Sequence, residues 1–247
     1  MSTKTLYLAW QDRREKGWFP VGRLDIDVDS SDYCFGYIRG AKRAIEEVGF
    51  APLLEFPNLC EKYRSSDLFP IFKNRVMSSK RPDFIDYVRS LDLPVTADPI
   101  QILSVSGGRR VTDSYEIFPK IDKAPDGSFT CRFFLHGWRY INSAAQNRIG
   151  SLKQDENLYV TLELTNPATG LAVQIQTENY HMIGWAPRYL VHDLASAMAE
   201  SPTKYEAHVV RVNPQGAPIN NRVLIEMNGC WNRHEPMSGD DFKPIVF

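Results

Sequence analysis

The sequence has little of what membrane proteins, metalloproteins and most enzymes require. No run of about 18 apolar residues occurs, so no segment reads as a membrane-crossing helix. The opening Met-Ser-Thr-Lys-Thr-Leu-Tyr-Leu lacks the apolar core and small-residue cleavage site of a secretory signal. Cysteine is scarce: Cys34, Cys60, Cys131 and Cys230 lie far apart and form no CxxC pair, which gives neither zinc spacing nor a disulfide framework. They are expected to be buried, reduced thiols, in keeping with a cytoplasmic location. The five histidines, His136, His181, His192, His208 and His234, never recur at HxH or HxxxH spacing, so no metal is expected. A GxSxG elbow is missing. Ser106-Gly-Gly-Arg-Arg110 offers a turn or an anion cradle but lacks the GxxxxGKS/T spacing of a nucleotide loop. We therefore expect no enzyme and no cofactor. Charge of one sign is also missing, since 29 basic side chains face 30 acidic ones. A protein that grips duplex DNA by charge alone is basic, so any nucleic-acid site here has to be local.

Aromatic residues, by contrast, are plentiful, with 13 Phe, 11 Tyr and 5 Trp in 247 residues. That is ample material for the cores of two domains. Short apolar runs at 6–10, 18–24 and 33–38 read as strands, the last with aromatics at alternate positions 33, 35 and 37. Arg39–Val48 reads as a helix closed by Gly49. Helical patterns follow near Leu68 and over 82–91, then a strand or short helix at 99–105 and an extended stretch at 113–120. Ala-Pro-Asp-Gly at 124–127 is a turn and the expected domain boundary.

Beyond it, strands are expected at 129–136, 158–164, 171–177, 182–185, 205–212 and 222–227, with a short helix at 141–149 and a longer one at 187–199. The expected fold class is α+β: a mixed α/β domain over 1–125, a small OB-like β-barrel with an inserted helix over 126–228, and a loosely held tail over 229–247.

Phe134, Gly137-Trp-Arg-Tyr140, the strand at 158–164, Asn166-Pro167 and Ile183-Gly-Trp-Ala-Pro-Arg188 occur in an order that resembles the HIRAN domain, over roughly residues 130–215. The resemblance implies a small barrel related to the OB fold that binds single-stranded DNA or DNA ends. By position it implies that Arg139 and Tyr140 hold a base and its phosphate, that Asn166 and Pro167 form a contacting loop, and that Arg188 reaches a phosphate. DNA-gripping relatives carry an aromatic and an aspartate after Asn-Pro. Ala168, Thr169, Gly170 and Leu171 stand here instead, without the aspartate or the ring. More faintly, Val21-Gly-Arg-Leu24, Tyr33-x-Phe-x-Tyr37, Leu68-Phe-Pro70 to Asn74-Arg75 and Ser106-Gly-Gly108 resemble the N-terminal accessory region of HipA-type toxin kinases. This implies a bacterial toxin–antitoxin or defence setting without the catalytic part.

The residue chemistry agrees with such a site. A guanidinium pairs with phosphate in a fork, and a phenol offers a stacking face. Trp138 and Trp185 either stack bases or pack in the core. Lys62, Arg64, Lys73, Arg75, Lys80 and Arg81 face one acid, Asp67, within their span and are candidates for contacting a partner. The leading expectation is a DNA-binding adaptor with a partner-binding first domain and no membrane association. The alternative is an antitoxin-like, protein-binding subunit of a kinase toxin.

Overall fold

The computed structural model describes residues 3–14 and 16–246. In chain order the elements are β1 (Thr3–Gln11), β2 (Trp18–Asp27), β3 (Asp32–Tyr37), α1 (Arg39–Val48), β4 (Lys62–Ser65), α2 (Pro70–Lys73), α3 (Phe84–Ser90), α4 (Pro99–Ser106) and β5 (Tyr115–Pro119). They continue with β6 (Ser128–Phe134), α5 (Ser143–Gly150), β7 (Asn157–Asn166), β8 (Gly170–Thr177), β9 (Met182–Trp185), α6 (Val191–Glu200), β10 (Glu206–Val212) and β11 (Val223–Cys230). Two compact units result, and neither is one continuous segment. The first contains Met1–Ile85, Thr96–Lys120 and Met237–Phe247, the second Asp86–Val95 and Ile121–Pro236.

The first unit is built on an antiparallel sheet of order β4-β3-β2-β1-β5. Its alternating apolar positions bury Leu6, Leu8, Leu24, Phe35 and Tyr37, and Phe35 stacks on Phe56 at 4.1 Å. Gly22 is needed there, because a Cβ would lie 2.5 Å from the Phe35 ring. Helix α1 ends at Gly49 in the left-handed region (φ 72°), as its sequence predicts. The 99–105 segment resolves to a helix because Asp98 caps it. Its carboxylate accepts from the Gln101 N–H, while the Gln101 side chain accepts from the Asp98 N–H. Ser106-Gly-Gly is the C-terminal turn of that helix, with the Gly107 N–H on Leu103 O. Arg109 next to it pairs with buried Glu116 at 2.5 Å. The anion-cradle reading of this stretch gives way to a helix cap and an internal ion pair.

The second unit carries a six-stranded antiparallel sheet of order β6-β11-β10-β7-β8-β9. It departs from the expected closed barrel. The ladder is open, and the chain just after β6 meets β9 at a single bridge, His136 with Trp185, through reciprocal N–H···O bonds of 2.9 and 3.0 Å. Segment 86–95 is fixed by charge. Asp92 accepts from Arg211 at 3.0 Å and from Arg132 at 3.3 Å, and Arg132 also reaches Glu226 at 2.6 Å.

The tail is not loose. Trp231 is fully buried against Phe129, and Glu200 accepts the N–H groups of Asn232, Arg233 and His234 at 2.7–3.0 Å. The last stretch rejoins the first unit: Pro244 bridges Ile38, the Ile245 N–H donates to Tyr37 O, and Arg43 pairs with Asp241 at 2.6 Å. The cysteines also differ from expectation. All four are free, but only Cys131 is buried, and Cys60 is exposed.

Candidate nucleic-acid interface

Strand alternation sets the site. In β7, Leu158 and Val160 point into the core, so Tyr159, Thr161 and Glu163 point out. Register places Tyr159 opposite Gln176, Thr161 opposite Gln174, and Gln174 in turn opposite Trp185. These residues therefore share the outer face of β7, β8 and β9.

At one end of this face, Glu163 is the organising group. Its carboxylate accepts from Trp185 Nε1 and from Asn166 Nδ2, both at 2.8 Å. The amide of Asn166, together with the Trp185 indole and the Gln174 amide, holds the Glu163 carboxyl below its ordinary value of 4.5. Hydrogen bonds that favour the charged form stabilise the fold above the carboxyl's unfolded pKa. That contribution disappears as pH falls through the lowered folded value. Carbon-detected NMR titration should therefore give Glu163 a midpoint below that of ordinary glutamates. The Trp185 indole N–H resonance should move with the same midpoint and lose this dependence in Glu163→Gln.

Just after β6 the chain makes a tight turn, with the Tyr140 N–H on Gly137 O at 2.8 Å. Gly137 is left-handed (φ 69°) and lies directly against the Trp185 indole. Gln146, on α5, clamps the turn from the other side by donating to Arg139 O and Ile141 O, both at 3.1 Å. The turn thus stands at the Trp185 end of the face. Its outermost ring, Tyr140, is 81% exposed, and the Arg139 guanidinium lies 5.8 Å from the ring centroid.

The residues anticipated from sequence divide accordingly. Arg139 and Tyr140 are exposed, and Trp138 and Trp185 are half-buried. Trp185 is neither wholly core nor free, since its indole nitrogen is committed to Glu163. Asn166 is taken up by its own loop: its Oδ1 accepts from the Ala168 N–H and the Thr169 hydroxyl, and its Nδ2 donates to Glu163. Arg188 is half-buried at the start of a short 3-10 turn, and burial pulls its guanidinium below the ordinary value.

In the first unit Lys62 and Arg64 are exposed on edge strand β4, and Lys73 and Lys80 are also exposed. Arg75 departs from the proposed surface strip. Its side chain is buried, paired with Asp113 at 2.6 Å and donating to Gly108 O and Ile71 O. Arg81 is exposed but forked onto Asp83.

Sequence reasoning did not single out Glu163, Gln174, Gln176 or Gln146. The available signal was the strict alternation of Leu-Tyr-Val-Thr-Leu-Glu-Leu, which marks one face of β7 as polar. Nucleophilic chemistry finds no support at Cys131, whose thiol burial pushes up to about 12. Among the described residues, no group of three or more His, Cys, Asp or Glu side chains gathers as a metal site.

Comparison with known proteins covers the second unit. Residues 128–228 match the family model of the HIRAN domain. A protein of known structure from Lactobacillus plantarum is 15% identical over 43% of this chain and 100% of its own, with a TM-score of 0.33. The HIRAN domain of human HLTF is 18% identical over 44% of this chain and 84% of its own, also with a TM-score of 0.33. No curated protein matches the chain.

Proposed function

We propose that the chain is a non-catalytic nucleic-acid-binding adaptor that takes single-stranded DNA, or the single-stranded end of a duplex, on the outer face of β7–β9. The observation that carries this reading is Tyr140. Its ring is 81% exposed, and the Arg139 guanidinium lies 5.8 Å from the ring centroid, so a flat, negatively charged guest can reach both groups. A base stacked on Tyr140 with its phosphate on Arg139 is such a guest. The match of residues 128–228 to the HIRAN domain supports the same reading.

The face carries few cations, which suits a strand held mainly through its bases and accords with a chain of net charge −1. The first unit is the partner-binding part in this reading. Of the six candidate residues, those left at the surface and outside the Arg75–Asp113 and Arg81–Asp83 pairs are Lys62, Arg64, Lys73 and Lys80.

Fluorescence anisotropy with a labelled single strand tests the reading. Tyr140→Ala should weaken binding by about 1–3 kcal/mol, or roughly 5- to 150-fold, with its melting temperature unchanged. Arg139→Gln should lower the slope of log affinity against log salt by about 0.7, one phosphate's worth. If no single strand binds at low salt, the reading is wrong.

A further inference from the structure

We propose that Tyr159 and Tyr180 form a second base-stacking station at the opposite end of the same sheet face, so that the interface holds a run of about four nucleotides rather than one terminal base. The proposal rests on the reading above and extends it to the length and path of the bound strand.

Tyr159 and Tyr180 are 45% and 75% exposed, with ring centroids 5.6 Å apart and planes inclined by 35°. The pair is splayed and leaves ring surface open to solvent. Tyr180 is also held in an unusual backbone conformation. It sits at φ 61° in the β8–β9 turn, a region that bulky residues seldom occupy. The turn is fixed by the Tyr180 N–H on Thr177 O at 2.8 Å and the Thr177 N–H on His181 O at 3.0 Å. Glycine or asparagine relieves such strain at no cost to these main-chain bonds. The turn holds the Tyr180 ring 75% in water, where a stacked base can reach it.

Tyr159 lies four residues along β7 from Glu163, about 13 Å. The intervening surface is continuous and polar. Gln176 Nε2 donates to the Thr161 hydroxyl at 3.2 Å and to Gln174 Oε1 at 3.3 Å, and Gln174 reaches on to Glu163. Amides aligned between two aromatic stations present donors and acceptors to base edges. Glu163 on the strip is negative and disfavours phosphates there, so the bases face the sheet.

The test is anisotropy with labelled oligothymidylates of increasing length. Wild-type affinity should rise with length up to about four nucleotides and then level off. In the double variant Tyr159→Ala, Tyr180→Ala the plateau should come about two nucleotides earlier. Long strands should bind roughly 5- to 150-fold more weakly, dinucleotides as before, and the salt slope should be unchanged. Tyr180→Asn is the folding control: it suits the positive φ, so its melting temperature should hold or rise while the plateau still shortens. A double variant with the wild-type length dependence, alongside a Tyr140→Ala that still weakens every length, overturns the second station and leaves the first intact. Absence of binding to wild type at any length overturns both.

Discussion

Trp231→Ala should destabilise the second unit by about 3–5 kcal/mol, the range for deleting a large buried aromatic. The indole is fully buried and stacks face to face on Phe129, 3.8 Å between centroids and 14° between planes. Its Nε1 donates to Asp193 O at 2.9 Å. Truncation would leave a cavity too large to collapse and a buried carbonyl without its donor. The space for the stack depends on Gly229, where a Cβ would lie 2.5 Å from the Phe129 ring. Trp231→Phe separates the contributions: it keeps an aromatic in place and loses the hydrogen bond, for about 1–3 kcal/mol. Urea unfolding followed by near-UV circular dichroism measures both. A loss below about 1 kcal/mol for the alanine variant would contradict the packing described.

Gly137→Ala should cost about 2–5 kcal/mol and abolish strand binding with it. Two physical terms add. An L-residue at φ 69° costs about 1–2 kcal/mol in the left-handed region. The new Cβ would lie 2.7 Å from Cζ3 of Trp185 and closer still to Cε3, an overpacking cost of about 1–3 kcal/mol. Neither side can yield easily, because the Trp185 indole is bonded to Glu163 and the Gly137 turn is clamped by Gln146. Displacing the turn carries Arg139 and Tyr140 away from the face. Gly137→Asn tolerates the positive φ but keeps the collision, so it should recover only the conformational part. Melting curves and anisotropy on the same samples distinguish this variant from Tyr140→Ala, which should weaken binding with stability intact.

The two kinds of information in the sequence had different reach. Local signals set the elements well where both propensity and pattern agree: α1 with its closing Gly49, and β7 with its alternation, stand where those signals put them. Strand β4 was not legible. Lys-Tyr-Arg-Ser has no apolar period, and it forms a strand because β3 offers it an edge. The return of residues 237–246 was hidden for a related reason: Pro244 and Ile245 pair with Ile38 and Tyr37, some 200 positions away, and nothing in the intervening composition announces it. Leu162 and Leu164 also mislead. Their alternation continues that of Leu158 and Val160, yet they are exposed, Leu164 at 72%. Arg139 and Tyr140 were singled out by their motif and stand exposed. Glu163, Gln174 and Gln176 look like ordinary surface residues until register sets Gln174 opposite Trp185 and Gln176 opposite Tyr159.

The discontinuous make-up of the first unit bears on how the protein is born. A ribosome delivers Met1–Ile85 and Thr96–Lys120 early, then must make all of Ile121–Pro236 before the closing stretch appears. At about 5–20 residues per second this takes roughly 6–25 s. During that interval the backbone of Tyr37 and Ile38 waits without the partners that Ile245 and Pro244 later supply. The first unit can therefore close only after every residue of the second has been made.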